Sequence, residues 1–141
     1  MQINEVMTPN AECISPSATL HEAAERMKTL DVGSLPVWEG NDLVGMLTDR
    51  DITVRSVSEG RDPRQHHVRD AMTPGVIFCF EDQDVTEVAK MMQEKQIRRL
   101  PVLSRDRRMA GIVSLGDLAI ESGDEKLMGQ VLEGISEPAA S

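Results

Sequence analysis

The chain contains its own sequence twice. Val6-Met7-Thr8-Pro9 returns as Ala71-Met72-Thr73-Pro74, and Leu35-Pro36-Val37 returns at the same offset of 65 as Leu100-Pro101-Val102. Glu22, Ala24 and Met27 match Glu87, Ala89 and Met92. One residue later in register, Gly45-Met46-Leu47-Thr48-Asp49-Arg50-Asp51 aligns with Gly111-Ile112-Val113-Ser114-Leu115-Gly116-Asp117. An ordered series of this kind marks a tandem duplication. The single insertion falls between two strands of an expected hairpin, where extra residues are tolerated.

Each copy reads as strand, helix, strand, strand, helix. In the first, Glu12–Ser15 is a short strand, and Thr19 with Glu22 forms a capping box that opens a helix. Leu20, Ala23, Ala24, Met27 and Leu30 give that helix one apolar face, and Gly33 is expected to end it. Leu35–Glu39 and Leu43–Thr48 form a hairpin across Gly40-Asn41-Asp42, followed by a polar helix from Asp49 toward Val57. In the second copy, Ile77–Phe80 is the strand and Asp84 with Glu87 caps the helix. Leu100–Ser104 and Met109–Ser114 form its hairpin, and Leu115–Glu121 opens the last helix.

This divides the chain into repeat 1 (1–57), a polar linker broken by Gly and Pro (58–67), repeat 2 (68–123) and a C-terminal helix and tail (124–141). In that tail Leu127, Met128, Val131, Leu132 and Ile135 recur at helical spacing, while Ser136–Ser141 reads as disordered. A copy of about 50 residues is short for a core of its own. Sheet against sheet would cover the aliphatic faces, so one pseudo-symmetric domain is expected.

With 15 Lys and Arg against 24 Asp and Glu, the net charge is −9. That opposes general binding to nucleic acid or to an anionic membrane, both of which depend on basic side chains. No apolar run approaches the length of a membrane span, and Met1–Met7 lacks the basic start of a signal peptide, so a cytoplasmic location is expected. Cys13 and Cys79 have no metal-ligand spacing and are read as reduced thiols. His66-His67 lacks a third ligand at useful spacing and is read as part of the linker, with no metal. No nucleophile motif or phosphate-binding loop occurs, so catalysis has no support.

The duplicated Met-Thr-Pro segment, the Leu-Pro-Val strand and the Gly-x-hydrophobic-Thr/Ser-x-x-Asp segment resemble those of a cystathionine-β-synthase (CBS) domain pair, the Bateman module, over nearly the whole length. The resemblance, to small stand-alone bacterial CBS-domain proteins above all, implies an α/β (α+β) fold. Two β-α-β-β-α repeats would be packed sheet to sheet with pseudo-twofold symmetry and clefts between them. It further implies a homodimer and an adenosine ligand: AMP, ADP, ATP with or without Mg²⁺, or S-adenosylmethionine.

Thr48 with Asp51, and Ser114 with Asp117, each place a hydroxyl at a strand end and a carboxylate three residues on, in the first turn of a helix. A carboxylate there can accept from a ribose diol, and the hydroxyl with the helix N–H groups favours phosphate. The structural alternative is an ordinary N-cap. The resemblance puts ribose on the aspartate. Arg98-Arg99 precede the Leu-Pro-Val strand of the second copy, where the first has Gly33-Ser34. Guanidinium groups suit phosphate, so the second copy should carry most of the anion affinity; the alternative is that the pair is solvated or paired with Glu94 or Asp106. Base contacts would fall to the backbone at Cys13-Ile14 and Phe78-Cys79 and to the side chains of Ile97 and Ile112.

Two functional readings follow. One is a regulatory module that senses an adenine nucleotide in a cleft between the repeats and signals to a downstream protein by conformational change. The other is a ligand-free interaction and dimerisation module. The acidic balance favours AMP over ATP unless Mg²⁺ accompanies the latter.

Overall fold

A computed structural model of the chain describes residues 1–75 and 77–138. In chain order the elements are β1 (Thr8–Pro9), α1 (Leu20–Leu30), β2 (Ser34–Glu39), β3 (Asp42–Thr48), α2 (Asp49–Arg55), α3 (Val68–Ala71), β4 (Thr73–Pro74), β5 (Cys79–Phe80), α4 (Val85–Lys95), β6 (Arg99–Leu103), β7 (Met109–Ser114), α5 (Leu115–Ser122) and α6 (Glu125–Ser136). The content is α+β, with two sheets of strand order β1-β7-β6-β5 and β2-β3-β4.

The chain forms two compact units that do not follow the repeat boundaries. One is Glu12–Val76, and the other joins Met1–Ala11 to Ile77–Ser141. Each Met-Thr-Pro segment therefore completes the sheet of the copy it does not precede. Thr8 and Pro9 pair with Ile112 and Gly111 of β7, while Thr73 and Pro74 pair with Met46 and Gly45 of β3. This exchange explains the glycine that opens the third shared segment. A Cβ on Gly45 would lie 2.5 Å from the Thr73 carbonyl oxygen, and one on Gly111 would overlap that of Thr8. Only glycine lets the two backbones come this close.

Local chemistry sets the element ends. The Thr19 hydroxyl accepts from the Glu22 N–H at 3.1 Å and Glu22 returns the contact at 3.3 Å, the capping box read from sequence. At α4 the box is incomplete: Asp84 caps the Thr86 N–H at 3.1 Å, and Glu87 instead accepts from the Gln83 side chain. Helix α1 stops at Asp31 in the left-handed conformation (φ 55°), not at Gly33 as expected. The short polar side chain of Asp tolerates that region. The first strand of each copy is also shorter than expected. Glu12–Ser15 reduces to a single parallel bridge between Ile14 and Val37, and Ile77–Phe80 to β5. Beyond α2, a 3-10 turn covers Val57–Glu59. The extra hairpin residue lies in the Arg105–Arg107 turn, with Arg107 at φ 64°, opposite the shorter Gly40-Asn41 turn of the first hairpin.

Buried residues fall into two clusters, one in each unit, where repeat length had suggested that neither copy would hold its own. Ile14, Leu20, Ala23, Met27, Leu35, Val37, Leu47, Val68 and Ala71 form the first. The second gathers Ile3, Val6, Cys79, Val88, Met92, Leu100, Val102, Val113 and Leu118, and closes with Val131 and Ile135 from α6. The borrowed lead-in segments, α3 and α6 supply the apolar side chains that a bare repeat lacks. Gln96 fixes α6 by donating to the carbonyls of Gly134 (3.2 Å) and Glu137 (2.9 Å). The expected disorder of the tail falls partly on Ala139–Ser141, outside the described residues. Among the described residues, no helix is long and apolar enough to cross a membrane.

Candidate functional site

The site grows out of the β6–β7 ladder. Arg99 stands directly opposite Ser114, and Pro101 opposite Ile112. Side chains alternate across a strand, so these four share one face while Leu100, Val102 and Val113 turn into the core. Ser114 ends β7 and is the N-cap of α5. Its hydroxyl accepts from the Asp117 N–H at 3.0 Å, and Asp117 Oδ2 accepts from the Ser114 N–H at 2.9 Å. The Leu115 N–H donates to the Arg98 carbonyl at 2.8 Å, tying the strand start to the helix start.

Arg99, the Ser114 hydroxyl and Asp117 are thereby brought to one strand–helix junction. The Ser114 hydroxyl retains its own proton as a donor, and Oδ1 of Asp117 has no hydrogen-bond or ion-pair partner among the described residues. Arg98 and Arg99 are both exposed, and neither makes an ion pair within the described residues. A carboxylate oxygen, a hydroxyl and a guanidinium are what a ribose and a phosphate require. Arg98 meets the junction through its carbonyl, and its side chain is exposed beside that of Arg99.

Repeat 1 has the same frame with different chemistry. Ser34 stands opposite Thr48, and Thr48 and Asp51 exchange the same two hydrogen bonds at 3.0 Å each. The Asp49 N–H donates to the Gly33 carbonyl at 3.0 Å. Here, however, the carboxylate of Asp49 covers Gly33, where a Cβ would lie 3.1 Å from its Oδ2. Ser34 is 5% exposed, and Asp51 Oδ1 lies 3.9 Å from Arg55 Nε. In both copies the N-cap role is therefore real. The difference that sequence reading passed over is Asp49 against Leu115, legible in the aligned segments.

The remaining predicted residues scatter. Ile14 is core, and both its N–H and its carbonyl bond to β2 at 2.9 Å. Cys79 is fully buried with Sγ 3.9 Å from the Pro101 carbonyl, and burial pushes its thiol up to about 12. Burial also raises the Cys13 thiol, opposed by Arg26. Ile97 packs against the second core, and Ile112 lies half-buried on the Arg99 face. Phe78 meets Phe80 edge-on at 5.3 Å. Two arginines that sequence reading did not single out cover these rings: Arg107 over Phe78 at 5.3 Å and Arg105 over Phe80 at 4.2 Å. Arg105 also grips Asp82, whose carboxyl is held below the usual range by that contact. Their only signal was a basic hairpin turn in an acidic chain. Among the described residues no group of His, Cys, Asp or Glu could hold a metal ion.

A model of the CBS domain matches residues 3–57 and again 68–124. The chain belongs to the CBS-domain family. It is similar to the CBS domain-containing protein YhcV of Bacillus subtilis, with 37% identity over 95% of this chain and 94% of the relative. Among solved structures it resembles a CBS-domain protein of unknown function from Thermoplasma acidophilum, TA0289, at TM-score 0.81 and 25% identity, covering 95% of this chain and 75% of that one. It also resembles CBSX2, solved in complex with AMP, at TM-score 0.73 and 27% identity, covering 89% and 98% of the two chains. The tandem CBS pair is thus a regulatory, ligand-binding type of module.

Proposed function

We propose that the protein is a non-catalytic sensor of an adenine nucleotide, with the ligand held at the β6–β7–α5 junction of repeat 2. Arg99 would take phosphate, Asp117 Oδ1 the ribose diol and the Ser114 hydroxyl a second polar atom, with Ile112 and Ile97 as apolar walls. The observation that carries this reading is Arg99 opposite Ser114, one turn from Asp117. The AMP complex of CBSX2 supports the choice of ligand class. AMP is preferred over ADP and ATP because the chain carries a charge of −9. Binding would shift the population of a conformation read by a downstream protein, with the module acting as a homodimer.

A thermal-shift titration with AMP, ADP, ATP and S-adenosylmethionine tests this. Ligand at about a hundred times its dissociation constant adds roughly 2.7 kcal/mol to stability. Asp117→Ala and Asp51→Ala remove equivalent capping contacts, so both lower the starting melting temperature. Only Asp117→Ala is expected to lose the ligand increment. An increment retained in Asp117→Ala would overturn the site. The alternative, a ligand-free interaction module, is favoured in repeat 1 by the Asp49 carboxylate over Gly33. Silence across the panel would extend it to the whole protein.

A further inference from the structure

The segment joining the repeats folds around an open polar surface pocket, wholly within the Glu12–Val76 unit. Its volume is about 530 Å³, and its lining is Arg55, Glu59, Arg61, Gln65, His66 and Asp70. The chain turns back on itself here. Gly60 adopts the left-handed conformation at φ 71°, and the Arg61 N–H returns to the Ser56 carbonyl at 3.1 Å. The N–H groups of Gln65 and His66 both reach the Asp62 carbonyl at 3.0 Å. His66 is the least exposed of the lining residues. Its Nδ1 lies 2.9 Å from the hydroxyl of Ser56, a residue with no exposed surface, and its side chain is only 12% exposed.

The balance of donors and acceptors identifies what fits. The two acids are engaged: Glu59 holds Arg61 Nε at 3.2 Å, and Asp70 Oδ2 accepts from the His67 N–H at 3.1 Å. The donors are not exhausted. Arg55 uses Nη1 on the carbonyls of Ala71 and Met72 and faces Asp51 with Nε at 3.9 Å, and Arg61 holds Glu59 through Nε. His66 Nε2 stands 3.7 Å from Asp70, beyond hydrogen-bond length, and the Gln65 side chain makes no hydrogen bond among the described residues. Nη2 of Arg55, both Nη groups of Arg61 and the Gln65 carboxamide thus line the pocket with no hydrogen-bond acceptor among the described residues. Apart from the His66 imidazole, the lining side chains among the described residues are charged or amide, which favours a polar ligand.

We propose that this pocket is a second binding site, separate from the repeat 2 junction, for the phosphoryl group of a small polar compound, either inorganic phosphate and pyrophosphate or a sugar phosphate. Guanidinium forks suit phosphoryl oxygens by geometry as well as charge. A ligand held there would bridge the end of α2, the 3-10 turn and the start of α3, stiffening the connection between the repeats.

The test is titration of the full chain with phosphate, pyrophosphate and ribose 5-phosphate, following the His66 imidazole and Gln65 carboxamide by NMR, with chloride matched for ionic strength. A saturable shift with one of the three is expected, absent with chloride. It should weaken about tenfold or more in Arg61→Ala, whose side chain is exposed and, among the described residues, pairs only with Glu59. It should persist in Asp117→Ala, which separates this site from the nucleotide site. Tighter binding of ribose 5-phosphate than of phosphate assigns an organic ligand, and the reverse assigns an inorganic one. No shift with any probe, or undiminished binding in Arg61→Ala, would overturn the proposal.

Discussion

The two strand–helix junctions share a backbone and differ in charge. Both place a hydroxyl N-cap opposite the first residue of the preceding strand, and both close the capping box with an aspartate three residues on. Around that frame, repeat 1 carries Gly33, Ser34 and Asp49, whereas repeat 2 carries Arg98, Arg99 and Leu115. The long helices diverge in the same way. Met91 of α4 packs against the core that α6 closes, while its counterpart Arg26 in α1 turns its guanidinium to the Cys13 carbonyl at 2.6 Å. What the copies share maintains the fold. What they do not share is where separate functions can reside.

If the shared part is structural, removing it should cost the two copies alike. Gly45→Ala and Gly111→Ala each push a methyl group into a backbone carbonyl that cannot swing aside. Each is expected to destabilise by ~3 kcal/mol, read from chemical denaturation. A large cost at one position with none at the other would break the equivalence. Val131→Ala probes an element found only in the second unit. It should cost ~2 kcal/mol, with faster hydrogen exchange in α4 and unchanged exchange in α1.

The sequence made the helices and hairpins legible because their signals are local: Thr19 with Glu22, the apolar stripe of α1, the Gly40-Asn41 turn. It hid the exchange of lead-in segments, since pairing of Thr8 with Ile112 spans the chain and the two-residue strands leave no periodic pattern. The glycines of the Gly-x-hydrophobic motif were visible, but their reason lay in that distant partner. At the site, Arg99, Ser114 and Asp117 could be named from spacing and resemblance. Ile14 and Cys79 could not be told from core, because burial is a tertiary property. The pocket around His66 was missed because its six residues belong to four short stretches with no common spacing.

The functional difference can be sharpened by giving repeat 2 the residue of repeat 1. Arg99→Ser removes an exposed guanidinium with no ion pair, so stability should stay within about 0.5 kcal/mol. Nucleotide affinity should fall about tenfold or more, measured by calorimetry, as one charge-assisted contact is lost. Unchanged affinity would return the site to a plain capping box. Those boxes give a smaller, symmetrical effect: Thr48→Ala and Ser114→Ala should each lower stability by ~1 kcal/mol. Only Ser114→Ala should also weaken the nucleotide response.

The smallest contrast concerns Ile14 and Cys79, which occupy corresponding places beside Val37 and Val102. Repeat 1 has a hydrocarbon there and repeat 2 a thiol that can ionise. Burial pushes that thiol up to about 12, whereas in an unfolded chain it ionises near ~8.5. The unfolded state therefore releases its proton first as pH rises. Stability is unaffected at neutral pH and falls between the two values, by roughly 1 kcal/mol near pH 9.5. Cys79→Val, which keeps the apolar volume close to that of the thiol, should flatten this alkaline decline as followed by denaturant midpoints across pH. A decline of the same slope in the variant would place its origin outside the second core. The same burial predicts that Cys79 resists alkylation in the native protein until the sheet holding β5 against β6 opens.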